Sequence, residues 1–129
     1  MRVYHFDHSS VTPEHRWKIM NGNKCAVLEG LRNKCYSIVG VVPSTLCDDD
    51  DYIEQNLEWA FHQTNHIESS WNENPNVDCF VERPRSTSVG DVIVYSDEVY
   101  MVDKFGFLKL DTISEHEFRI INGEDGIGG

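Results

Sequence analysis

The chain has 129 residues, 40% of them hydrophobic and 11% aromatic, enough apolar material to close one core without metal or disulfide staples and too much for a disordered chain. Its net charge is −11, and the excess is uneven: residues 48–129 hold 19 acidic against five basic side chains, whereas residues before 48 balance at +3. Such a surface repels nucleic acid and anionic membrane and attracts basic protein surfaces.

Arg2 to Phe6 alternates, with Val3 and His5 on one side and Tyr4 and Phe6 on the other, and reads as a first strand. Thr12-Pro13-Glu14 starts a helix: Thr12 is the N-cap, Pro13 takes the first helical position, and Glu14 faces the positive dipole end. Asn21-Gly22 stops it. Residues 24–34 mix basic, small and apolar types without a clear period and predict no element. Tyr36 to Val42 is β-branched and apolar, a buried strand ended by Pro43.

Leu46 to Asn65 is the clearest helical region, because Ile53, Leu57, Ala60, Phe61 and Thr64 recur on one face. Asp48, Asp49, Asp50 and Asp51 precede it as an N-terminal acidic cap, and Glu54, Gln55 and Glu58 form the solvated face. Residues 66–85 read as a long polar loop anchored by Trp71 and Phe80. Val92 to Tyr95, Val99 to Val102 and Phe107 to Leu110 predict a three-stranded meander. Ser114-Glu115-His116-Glu117 has capping-box spacing, and residues 123–129 form a glycine-rich, flexible tail. The expected fold is α+β: one domain over residues 1–129, with a small antiparallel sheet packed on one main amphipathic helix and a shorter N-terminal helix.

Met1 to Phe6, Val11-Thr12-Pro13 with Trp17, the helix at Ile53 to Asn65, and above all Arg85-Ser86-Thr87-Ser88-Val89-Gly90-Asp91-Val92-Ile93-Val94 followed by Tyr100-Met101-Val102-Asp103-Lys104-Phe105-Gly106-Phe107 carry a family pattern. On these residues the chain resembles the YodL-like domain, with residues 22–50 and the long loop as insertions. The resemblance implies a phage or mobile-element origin and names no biochemical activity. The signature residues Ser86, Ser88, Gly90, Asp91, Tyr100, Asp103, Gly106 and Phe107 are expected to be structural. Gly90 and Asp91 suit a turn into a strand, the two serines bond local backbone, and Gly106 permits positive φ.

Sites of chemistry are sparse. His5, His8 and His15 offer three nitrogens for zinc, but a strand at residues 2–6 separates His5 from His8, so surface histidines are expected. Cys25, Cys35, Cys47 and Cys79 include no Cys-x-x-Cys pair and read as reduced thiols. A cysteine nucleophile paired with His62, His66 or His116 is one option, but no local signature marks any of the four, and a free cysteine is more often a small buried hydrophobe. The acidic run lacks calcium-loop spacing. No cofactor is expected.

Asp48 to Asp51 with Glu54 and Glu58 act as a solubilising cap or as a mimic of nucleic-acid charge, and Trp59 and Trp71 are candidate interface anchors, less easily placed in a core than Trp17. No apolar run reaches the length of a membrane span, and the polar first eight residues do not resemble a secretory signal, so a cytoplasmic protein is expected. The function expected is non-enzymatic: binding and inhibition of a basic host protein, foremost a nucleic-acid-handling defence component. The alternatives are a regulator of a cytoskeletal or division protein, and a small metal- or cysteine-dependent enzyme.

Overall fold

A computed structural model describes residues 1–43, 52–66, 70–96 and 98–110. The Asp48 to Asp51 run, Cys47, the Ser114 to Glu117 capping box and the tail from residue 123 lie outside them.

The fold is α+β, with a six-stranded antiparallel sheet and three helices. The strands are β1 (Arg2–Phe6), β2 (Tyr36–Val41), β3 (Asp78–Cys79), β4 (Val92–Tyr95), β5 (Glu98–Asp103) and β6 (Gly106–Lys109); the helices are α1 (Pro13–Met20), α2 (Lys24–Arg32) and α3 (Ile53–Gln63). Across the sheet the order is β3-β2-β1-β4-β5-β6, so the first strand lies inside it. Tyr4 pairs with Ile38 on one side and Val92 on the other, and a bulge between Val3 and Tyr4 shifts the β1–β2 register.

Both faces of the sheet carry a core. On one face Tyr4, Phe6, Val92 and Met101 cluster with Ile19 of α1 and Val27 and Leu31 of α2. On the other, Val3, Ile93, Tyr100 and Val102 cluster with Leu57 and Ala60 of α3 and with Trp71. This explains why β1 and β4 do not alternate buried with exposed: every residue from Val3 to Phe6 and from Val92 to Tyr95 is buried.

Thr12 caps α1 by accepting a bond from the His15 amide at 3.1 Å. The helix ends in a Schellman arrangement, in which the Gly22 amide donates to Ile19 O and the Asn23 amide to Lys18 O, each at 3.0 Å. Trp17 is not a core residue. Ile19 takes the inward position, and Trp17, two residues away and therefore across the helix, is 66% exposed.

α2 occupies the stretch that predicts no element. Asn23 caps it through the Ala26 amide at 3.0 Å, and Ala26, Val27, Leu28, Gly30 and Leu31 are buried. Gly30 spoils the periodicity because the helix presses there against Tyr36, whose ring would lie 3.1 Å from an added Cβ. The sheet is therefore not served by one main helix and one N-terminal helix alone. In α3, Leu57 and Ala60 are buried, as is Thr64 at its C-cap, Ile53 and Phe61 are half-buried, and Glu54, Gln55 and Glu58 are exposed.

Residues 70–85 are more ordered than a loop reading suggests, with a 3-10 turn at Trp71–Glu73 and β3 within them. Trp71 is 1% exposed and lies against Gly40, its indole N–H bonded to Arg85 O at 2.8 Å. It cannot be an interface anchor. Phe80, the second expected anchor of the loop, is 55% exposed. No helix of the described residues is long and apolar enough to cross a membrane.

Candidate functional site

The signature stretch folds into a clamp that joins β1 to the start of β4. Asp91 is fully buried at the end of a turn in which its amide donates to Ser88 O at 3.0 Å. Arg85 forks onto its carboxylate, Nη1 to Oδ2 at 2.6 Å and Nη2 to Oδ1 at 2.7 Å. The same carboxylate accepts the amides of Ser88 at 2.8 Å and Phe6 at 3.2 Å. Arg85 also donates to the carbonyl of Phe6 at 3.1 Å and lies 4.9 Å from the centre of the Phe6 ring, on which His8 stacks at 4.6 Å.

Two neighbours complete the clamp. Gly90 at φ +94° brings its carbonyl within 2.6 Å of the Tyr36 hydroxyl, which donates to it, and any Cβ there would collide with Ile19. Burial, then the negative charge of Asp91, pushes the Tyr36 hydroxyl well above its ordinary range. His5 is a buried histidine, not a surface one, because β1 is covered on both faces. Its Nε2 bonds Thr87 Oγ1 at 2.8 Å, and Thr87 in turn contacts Thr64 Oγ1 at 2.7 Å. Burial lowers the His5 pKa to about 4, against the opposing pull of Asp91 and aided by Arg85.

An Asp, a His and a hydroxyl together invite a catalytic reading, and the geometry argues against a relay. Thr87 Oγ1 and Asp91 Oδ2, the latter at 3.8 Å, both approach the same imidazole nitrogen, whereas a relay needs one partner on each. Two other described histidines bond away from the clamp: His15 Nε2 contacts Ala26 O at 2.8 Å, and His66 Nδ1 accepts the Trp71 amide at 3.1 Å. Among the described residues no three His, Cys, Asp or Glu side chains converge as metal ligands. Cys35 is buried, and burial, then Asp7 and Glu29, raises its thiol pKa, which makes it a poor nucleophile. Cys25 is exposed and Cys79 half-buried; both are free thiols.

The second assembly is a groove of about 200 Å³ between α3 and the β5–β6 hairpin. Phe61, Val102 and Phe107 supply its apolar lining, with the two phenylalanines edge to face at 6.4 Å. Glu58 supplies a carboxylate, and Glu54 adds a second, its Oε1 being 3.8 Å from the Cβ position of Gly106; Asp103 also lines the groove, but its carboxylate turns to the other face of the sheet, Oδ1 lying 2.6 Å from the Cβ position of Gly22 at the end of α1. Gly106 holds φ +116°, as its place at the hairpin turn requires, and the next residue back, Phe105, is fully exposed.

Of the residues expected to bind a partner, the structure brings Glu54 and Glu58 together on this groove. Trp59 packs beside the same core, half-buried, and its indole nitrogen finds no bond among the described residues. Trp71 lies elsewhere, inside the protein. Of the signature residues, Ser86 Oγ accepts the His66 amide at 3.0 Å, Ser88, Gly90 and Asp91 build the clamp, and Tyr100 is buried in the core under α3. Asp103 and Phe107, expected to be structural, also line the groove. Sequence reasoning missed the clamp, although a lone His5 in an apolar strand and an Arg–Asp pair six residues apart were available as signals. Comparison of the chain with protein-family models, curated proteins and solved structures returned no match.

Proposed function

We propose that this chain is a non-enzymatic accessory protein of the YodL-like, mobile-element type, which binds a basic host protein through its acidic surface and inhibits it. The observation that carries the reading is the exposed carboxylate face of α3, where Glu54 and Glu58 stand beside an aromatic groove, on a chain of net charge −11. Among the described residues neither Glu54 nor Glu58 has an ion-pair partner, so their field is open to an incoming cation. Nucleic-acid-handling defence enzymes present basic surfaces of the required kind, and the cytoplasm of a bacterial host is where the two would meet.

The test is affinity capture from host lysate, with the captured protein then purified and its affinity measured directly. Binding should fall at least tenfold between about 50 and 500 mM salt, and by a similar factor in the Glu54→Lys/Glu58→Lys variant. A partner held equally by both proteins and at both salts would overturn recognition by charge.

A further inference from the structure

We infer that the groove between α3 and the β5–β6 hairpin is the seat of a single arginine side chain of the partner protein, an inference that rests on the binding role proposed above. The groove's chemistry selects this occupant on three counts. Its volume, about 200 Å³, suits one long side chain and not a folded surface. Its rim is acidic: an apolar side chain would strip water from Glu58 and from Glu54 beside Gly106 with nothing in exchange, and an anion would be repelled. Its wall is aromatic, and a flat guanidinium stacks on a phenyl face while its edge forks onto carboxylates, which the compact, strongly hydrated ammonium of lysine does less well.

Details of the rim fit the assignment. Lys104 also lines the groove, but its ammonium reaches towards α1, with Nζ 3.4 Å from Asn21 Oδ1. Phe107 is half-buried and braced edge-on by Phe61, so the stacking surface is already positioned before a ligand arrives.

The experiment is an amide-shift titration of the full chain at low salt with three capped tripeptides, glycine-arginine-glycine and its lysine and norleucine counterparts. The arginine peptide should move the amides of Val102 and Phe107 saturably, the lysine peptide should bind roughly threefold to fivefold more weakly, and norleucine should give no response. Glu58→Gln should weaken the arginine peptide, and Phe107→Leu, with an otherwise unchanged spectrum, should abolish the preference for arginine over lysine. Equal response to arginine and lysine, shifts that avoid Val102 and Phe107, or no shifts at all would each overturn the assignment. If charge reversal on α3 abolishes partner capture while the arginine peptide leaves these amides unmoved, the arginine seat fails and the broader binding role stands; arginine binding without salt-sensitive capture has the opposite meaning.

Discussion

Asp91 has none of its surface in water, and its two oxygens are satisfied by Arg85 and by the amides of Phe6 and Ser88. Such a pair is asymmetric. The Arg85 side chain keeps 32% of its exposure and can be rehydrated, while Asp91 cannot, so removing the arginine should be the more damaging change. Arg85→Met is expected to cost about 3 to 5 kcal/mol, read as a lower urea midpoint at unchanged slope. His5 makes a second prediction, in pH. Burial disfavours its protonated form, so between pH 6.5 and about 4 the unfolded chain takes up a proton that the folded chain refuses. The contribution of His5 is therefore whole above pH 6.5 and is lost as pH falls towards 4, an effect of roughly 3 kcal/mol. Urea titrations at pH 7 and pH 4.5 should show a smaller difference for His5→Gln than for the parent chain.

At the scale of elements, the ends of the helices carry much of the local information. α2 closes like α1, with the Lys34 amide donating to Leu31 O at 3.2 Å and the Cys35 amide to Gly30 O at 2.9 Å, but here a lysine holds the left-handed position, at φ 60°. Lys34→Gly should therefore raise stability by about 0.5 to 1 kcal/mol, measurable as a higher melting temperature. Those ends also explain what could be read from the sequence. α1 was legible because Thr12-Pro13 and Asn21-Gly22 mark its limits with residue types that have few other uses, and α3 because its stripe is clean. α2 was not legible: its solvated stripe is only Cys25, Glu29 and Arg32, and a cysteine on that stripe together with Gly30 on the buried side blurs the period that polar and apolar residue types would otherwise mark. The two tryptophans misplaced by the sequence fail for a related reason. Hydrophobicity says that Trp17 and Trp71 have a reason to be buried, but only the three-dimensional path of the loop, folding back over Gly40, decides which one is.

For the whole molecule, the class of fold and the uneven charge were readable from composition and pattern, because both are sums over many residues. The second helical layer, the clamp and the groove were not, because each joins residues that lie far apart in sequence: Phe6 meets Arg85 and Asp91, and Phe61 meets Phe107. The placement of β1 has a consequence for the order in which the protein can assemble. Since β1 sits between β2 and β4, its ladder to β4 and its hold on Asp91 both wait until the ribosome has delivered residues through Val94. The emerging chain can close β1 on β2 early, yet it must carry an unsatisfied inner strand edge through most of its synthesis. Folding should thus finish late and abruptly, when one strand arrives to fill the middle of the sheet.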